Sequence, residues 1–227
     1  MKIKWYAHAS FLIEGDGLRI ITDPYHPGEL DFPPITETAD IVIRSSADDL
    51  GHCYAEMIPG DPIVVTATDI VETGTTVKGL AITAIPVRES LIHKESPLDN
   101  GMFRFTLDGV KVAHLGDVGN ALTEEQLAGL AGADVLFVLA GGPPTIDLDD
   151  LKLAIDILKP RLVIPMHYHL PGTRVKMLPV TELTGRFPAE MVTWIDGPEI
   201  EVSRETLPAE TKIVVLKSSL VEEALDQ

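Results

Sequence analysis

The strongest constraint on this chain is a change of rhythm along its length. Through Leu115 the apolar residues alternate or form short runs of strand length, whereas beyond Thr123 helical and strand patterns take turns. Lys2-Ile3-Lys4-Trp5 alternates polar and apolar residues. Ser10–Glu14 and Leu18–Thr22 flank a Gly15-Asp16-Gly17 turn, a hairpin signal because aspartate and glycine accept the positive φ that tight hairpins need. Strands at Ile41–Arg44, Ile63–Thr66, Thr76–Gly79 and Leu80–Val87 follow, and Asp108-Gly109 joins Met102–Leu107 to Val110–Leu115 in a second hairpin. Beyond these, Thr123-Glu124-Glu125-Gln126 predicts a capping box that opens a helix ending near Gly132. A continuous apolar strand covers Asp134–Ala140. Asp147 caps a helix with Leu148, Leu151, Ile155 and Leu158 at helical spacing, which Lys159-Pro160 ends. A strand at Leu162–Met166, a helix over Val180–Phe187, and strands near Met191–Ile195, Ile200–Ser203 and Lys212–Leu216 complete the pattern. Many strands followed by βαβ-like units predict a layered α/β fold with helices outside, organised as one domain over 1–227.

Composition narrows the class. The 227 residues include 18 Lys+Arg and 35 Asp+Glu, a formal charge of −17, with 45% hydrophobic and 23% charged residues. That balance is globular. So acidic a chain repels phosphate backbones and anionic membranes, which excludes generic nucleic-acid and membrane partners. Cys53 is the single cysteine, so neither a disulfide framework nor a cysteine-based zinc site is available; it reads as a small buried hydrophobe. No stretch approaches the ~18 uninterrupted apolar residues of a membrane helix. The start MKIKWYAHASFLIEG lacks the basic segment and apolar run of a signal peptide. A cytoplasmic protein that takes a small-molecule ligand is expected. The acidic, partly apolar tail Ser219–Gln227 leaves a homo-oligomer open.

Polar clusters stand at strand ends, where layered α/β folds bind ligands. One is Ser45-Ser46-Ala47-Asp48-Asp49-Leu50-Gly51-His52; others are His114-Leu115-Gly116-Asp117-Val118-Gly119, Met166-His167-Tyr168-His169, and Arg88-Glu89 with His93 shortly after. Ser46 has no glycine-framed elbow, so a serine nucleophile is not expected.

The segments WYAHASFLIEG, ITDPY at 21–25, ADIVIRS at 39–45, HLGDVG at 114–119 and VIPMHYH at 163–169 carry a resemblance. Together they resemble the metallo-β-lactamase superfamily, in its ascorbate-6-phosphate-lactonase-like branch of small Zn-dependent hydrolase-like proteins. The resemblance spans nearly the whole chain. It implies a four-layer αββα sandwich with the site at one edge of two facing sheets. The family's first ligand motif, His-x-His-x-Asp-His, follows the strand that here is Ile41–Arg44 and falls on Ser46, Asp48, Leu50 and Gly51. The family's next histidine falls on Arg88 or Glu89, with His93 nearby as a substitute. Asp117 matches the bridging carboxylate and His167 the last imidazole ligand.

Two readings of this depleted set compete. In one, a single divalent cation is held by Asp48, Asp117, His167 and Glu89, an oxygen-rich set that suits Mn²⁺, Mg²⁺ or Fe²⁺ better than Zn²⁺. Such a cation would activate water against a lactone, ester or phosphoester. Asp48 and Asp117 then serve the chemistry, and His169 is the candidate pocket acid or base. In the other, no cation is bound: Arg44, Arg88 or both neutralise Asp48, Asp117 and Glu89, and the chain is an inactive binding or scaffold protein. His8 lies in the family-like HASF segment and is assigned to the pocket, with Ser46 and Tyr168. Asp23 is assigned there as a turn-forming residue that accepts backbone amides. His114 is expected to face the core, and His26 and His52 to lie in surface loops.

Overall fold

The computed structural model describes residues 1–89, 99–173 and 175–221. Two sheets face each other. The first has six strands in the order β13-β1-β2-β3-β4-β5, formed by β1 (Lys2–Ala7), β2 (Ser10–Gly15), β3 (Leu18–Thr22), β4 (Ile41–Arg44), β5 (Ile63–Thr66) and β13 (Glu199–Glu201). The second has eight, in the order β12-β14-β11-β10-β9-β8-β7-β6. Its strands are β6 (Thr75–Val77), β7 (Leu80–Arg88), β8 (Asp99–Leu107), β9 (Val110–His114), β10 (Val135–Leu139), β11 (Leu162–Met166), β12 (Val192–Trp194) and β14 (Lys212–Val215). The strand-rich early stretch therefore splits between two sheets. Each sheet begins as an antiparallel meander and turns parallel, the first from β3 onward and the second from β9.

Both expected hairpins form. Asp16 and Gly17 have φ 47° and 75°, and Asp108 and Gly109 have φ 47° and 71°, the left-handed pair of a two-residue hairpin turn. Their tips meet across the sandwich. The Asp16 backbone N–H donates to Asp108 Oδ1 at 2.8 Å, and the Asp108 N–H returns a bond to Asp16 Oδ2 at 2.7 Å. Lys78-Gly79 turns as well, so β6 ends at Val77 rather than Gly79.

Four short α-helices occur among the described residues: α1 (Pro27–Leu30), α2 (Glu124–Leu130), α3 (Leu148–Leu158) and α4 (Val180–Thr184). Helix α2 opens on the expected capping box, with the Thr123 hydroxyl accepting from the Gln126 N–H and the Gln126 side chain accepting from the Thr123 N–H. Asp147 caps α3 by accepting from Asp149 N–H, and α3 buries Leu148, Leu151, Ala154 and Ile155. Helix α4 is shorter than its apolar pattern suggested, because Gly185 caps it. No helix among the described residues is long and apolar enough to cross a membrane.

The core lies between the sheets. Phe11 of β2 meets Phe137 of β10 with ring centroids 4.4 Å apart, and Trp5 of β1 meets Tyr168 at 5.0 Å. Strand β10 is buried at every position, as a central parallel strand covered on both faces requires. Each such side chain contributes roughly 1.5–3 kcal/mol of apolar burial. Cys53 is buried and unpaired with another cysteine, as expected. The same packing brings the C-terminal ends of β3, β4, β9 and β11 and the β1–β2 turn to one edge of the sandwich.

Candidate metal centre

The site assembles from those strand ends. His8 sits in the β1–β2 turn with φ 52°. Its carbonyl is fixed by two donors, Trp5 Nε1 at 3.0 Å and the His167 backbone N–H at 3.0 Å. The second bond sets His8 beside His167, which follows β11 and also has φ 52°. Their ring centroids lie 3.9 Å apart. Asp117 follows β9, and its N–H donates to Asn100 Oδ1 at 3.0 Å. Beyond β4 the chain makes a tight turn in which Asp49 Oδ1 accepts from the Gly51 N–H at 2.8 Å and the Asp49 carbonyl accepts from the His52 N–H at 3.0 Å. That turn carries His52 inward until it is 1% exposed.

Asp23 orients His52. It follows β3, is fully buried and has φ 35°. Its Oδ1 accepts from the Ser45 N–H at 2.6 Å, and its Oδ2 lies 3.1 Å from His52 Nδ1. A carboxylate at Nδ1 keeps the proton there and leaves Nε2 as a free donor atom, as in carboxylate–histidine–metal arrangements. His52 Nε2 lies 3.5 Å from Asp117 Oδ1 and 3.9 Å from Asp49 Oδ2, and His167 Nε2 lies 3.4 Å from the same Asp117 oxygen. His114 supports the assembly from behind: its Nδ1 accepts from the Gly116 N–H at 3.1 Å, and its Nε2 faces the Ala9 carbonyl at 3.1 Å.

Two groups have the composition of a metal site. One ring nitrogen each from His8, His52 and His167, and one donor atom each from Asp49, His52 and Asp117, lie within 4.8 Å of one another. Buried donor atoms there lack hydrogen-bond partners among the described residues: His8 Nδ1, His52 Nε2, His167 Nδ1, Asp49 Oδ2 and Asp117 Oδ1. Buried polar atoms are normally paired, so such a concentration of unpaired ones needs an explanation, and an ion is one. Ligand atoms on a tetrahedral ion with bonds of about 2.0–2.1 Å lie about 3.3–3.4 Å apart. The 3.4 and 3.5 Å separations about Asp117 Oδ1 fit that spacing.

The electrostatics fit a cation as well. Burial, reinforced by the neighbouring imidazoles, holds His8 and His167 well below the usual histidine range, so both imidazoles are neutral. Burial raises Asp117 above the usual carboxylate range, against the pull of His52. For His52 burial is outweighed by Asp117, Asp49 and Asp23, which raise it. Glu89, half-buried at the end of β7, is pushed up to about 8 by burial and then by Asp49 and Asp117, and its Oε2 is buried without a partner among the described residues.

Several expectations are corrected. Asp48 is exposed and outside the cluster; Asp49, one residue on, turns inward because its carboxylate closes the turn at Gly51. His52 is no surface residue but the centre of the site, while His8 lines the pocket and is a candidate ligand as well. The donor atoms brought together are therefore three imidazoles, His8, His52 and His167, beside the carboxylates of Asp49 and Asp117. Arg44 donates to Thr66 Oγ1 at 2.9 Å and to the Cys53 carbonyl at 3.1 Å, and Arg88 pairs with Asp99. Among the described residues neither arginine is paired with Asp48, Asp117 or Glu89; each engages its cross-strand neighbour, Thr66 for Arg44 and Asp99 for Arg88.

Tyr168 belongs to the core, its hydroxyl donating to the Leu216 carbonyl at 3.3 Å. His169 is exposed and outside the cluster, while Ser46 is buried with an unpaired hydroxyl. Asp23 does accept a backbone amide, but across strands and together with His52. His93 lies outside the described residues. A cavity of about 320 Å³ opens over the cluster.

The chain belongs to the beta-lactamase superfamily, whose domain model matches residues 2–167. Among curated relatives, it is 28% identical over 194 residues to a protein of Archaeoglobus fulgidus named UPF0173 metal-dependent hydrolase, covering 74% of this chain and 84% of that one. It is 32% identical over 185 residues to a Nanoarchaeum equitans protein of the same name, with 74% and 84% covered. Among solved structures, a Thermotoga maritima protein described as a Zn-dependent hydrolase of the metallo-beta-lactamase superfamily superposes with TM-score 0.76 at 31% identity, over 96% of this chain and 99% of that one. An isothiocyanate hydrolase from Delia radicum gut bacteria shares the fold at 13% identity and TM-score 0.67, over 89% and 100% of the two chains.

Proposed function

We propose that this protein is a metal-dependent hydrolase that holds one divalent cation on His8, His52, His167 and Asp117, with Asp49 at the edge of the same site. The observation that carries the reading is the set of buried, unpaired donor atoms on these residues. Three imidazoles with carboxylate suit Zn²⁺ or Fe²⁺ better than Mg²⁺. When bound, such a cation supplies Lewis acidity and lowers the pKa of water. The rest falls to the chain. Asp23 fixes the tautomer of His52, and the Trp5 and His167 bonds fix His8. Asp49, within the cluster and only partly buried, is placed to accept a proton from attacking water. Glu89 stands beside it as a carboxyl that can carry a proton to a leaving group. The reaction is hydrolysis of a lactone, ester or phosphoester.

A metal-free binding protein is the second reading. Its support is His52, which as an imidazolium among Asp23, Asp49 and Asp117 supplies the positive charge once sought from arginine. Elemental analysis of protein purified without chelator or histidine tag separates the two. The hydrolase reading expects about one metal per chain, lost in H52A and H167A. Protein that neither retains nor takes up zinc, iron or manganese would sink it.

A further inference from the structure

We propose that Lys176 binds a negative group of the substrate, so that the cavity takes a small ester or lactone bearing one carboxylate. This rests on the hydrolase reading for the reacting end of the molecule. A volume of about 320 Å³ is at the lower end for small-molecule sites. The cluster forms its floor, and Leu30, Leu50, Pro144, Val175 and Met177 give it apolar walls. The carboxylates that line it are Glu29, Asp49 and Asp117, and Lys176 is its only lysine or arginine among the described residues.

Most lysines elsewhere are engaged. Lys2, Lys4, Lys78, Lys152 and Lys217 each pair with a carboxylate. Lys111, Lys159 and Lys212 have no ion pair among the described residues, but none of them lines this cavity. Lys176 has no ion pair or hydrogen bond among the described residues, on a chain of charge −17. Its backbone is nevertheless held. The Leu178 N–H donates to the Gly141 carbonyl at 2.8 Å, and the Leu178 carbonyl accepts from the His169 N–H at 3.0 Å. A Cβ on Gly141 would sit 2.4 Å from the His167 carbonyl oxygen and 3.1 Å from Met177 Cβ, so only glycine lets residues 177 and 178 press onto the strand end that bears His167. Lys176, next along, is thereby carried at the mouth of the cavity. Lysine offers a point charge rather than a bidentate fork. With Glu29, Asp49 and Asp117 around the same space, Lys176 is the counter-charge for one anionic group beyond the one the metal would take.

The test uses cobalt(II)-loaded protein, whose visible absorption reports both metal uptake and ligand binding. Butyrate and glutarate each offer one carboxylate to the metal, and glutarate carries a second toward Lys176. Glutarate is expected to bind about tenfold more tightly than butyrate, equivalent to about 1.4 kcal/mol. The preference should fall below about twofold in K176M and reverse in K176E, since a like charge now faces the second carboxylate. Hydrolysis of the mono-4-nitrophenyl ester of glutarate relative to 4-nitrophenyl butyrate should follow the same ratio. A preference that is absent, or retained in K176M, or lowered equally by the distant K2M, overturns the assignment of Lys176 while leaving the metal in place. Failure to take up cobalt overturns the hydrolase reading, and this proposal with it.

Discussion

Replacing Asp23 by asparagine reverses a proton rather than removing a contact. Aspartate accepts at both oxygens, from the Ser45 N–H at 2.6 Å and from His52 Nδ1 at 3.1 Å. Asparagine has nearly the same shape but one acceptor and one donor end. The Ser45 backbone N–H can only donate, so the amide oxygen must face it. The amide NH₂ then faces His52 Nδ1, which must become an acceptor and send its proton to Nε2. Nε2 is the atom that points at Asp117 Oδ1 from 3.5 Å, and once protonated it cannot ligate. Loss of a supporting partner typically costs 10–100-fold in metal affinity. Because the tautomer itself is inverted here, the upper end applies, about 100-fold or about 2.7 kcal/mol. Competition between D23N and a chromophoric chelator for zinc measures the affinity, and nitrogen NMR of the His52 ring reads the tautomer. Zinc affinity within about threefold of the parent, in a folded variant, would refute the role given to Asp23.

Zinc uptake should release protons. Raised values at Asp117 and His52 mean that the metal-free protein holds protons that the cation must displace, whereas His8 and His167, held low, have none to give. Apparent affinity should therefore rise with pH through neutrality, and calorimetry in buffers of different ionisation enthalpy should give different heats; equal heats would contradict the assignment. Gly141→Ala would set a Cβ 2.4 Å from the His167 carbonyl oxygen and force the strand end or the Met177 segment to move. A loss of about 1–3 kcal/mol is expected in urea unfolding, as for other overpacked positions, and an unchanged midpoint would show that the contact relaxes freely.

What was legible in the sequence was local. The Asp-Gly turns, the capping box of Thr123 and Gln126, and the Asp147 cap each depend on residues a few positions apart, and all form. The family segments placed Asp117 and His167 because those residues still carry the matching side chains. The other residues of the candidate site were hidden by distance. Nothing near His8 in the chain shows that its carbonyl will be held by His167, from the other sheet. His52 looked like a loop residue because its inward turn depends on Asp49 capping Gly51 and on Asp23, from another strand. Two adjacent aspartates, Asp48 and Asp49, are equivalent on paper; only the turn geometry decides which one faces the site. Arg44 was expected among the carboxylates because alternation along a strand puts residues two apart on one face, but β4 ends at Arg44 and the alternation with it.

Among the described residues, positive φ occurs at eight non-glycine positions: His8, Asp16, Asp23, Asp31, Lys78, Asp108, Lys159 and His167. Asp16, Lys78 and Asp108 begin hairpin turns, and Asp31 and Lys159 end helices, all places where left-handed backbone is routine. His8 begins the β1–β2 turn in the same way, but Asp23 and His167 have neither excuse, and both stand at the proposed metal centre. Glycine would take these conformations with less strain, yet each position carries an imidazole or a carboxylate. The backbone thus keeps a record of the site that is independent of ligand motifs. A survey for left-handed histidines and aspartates outside turns and caps would find Asp23 and His167 without reference to any ligand motif.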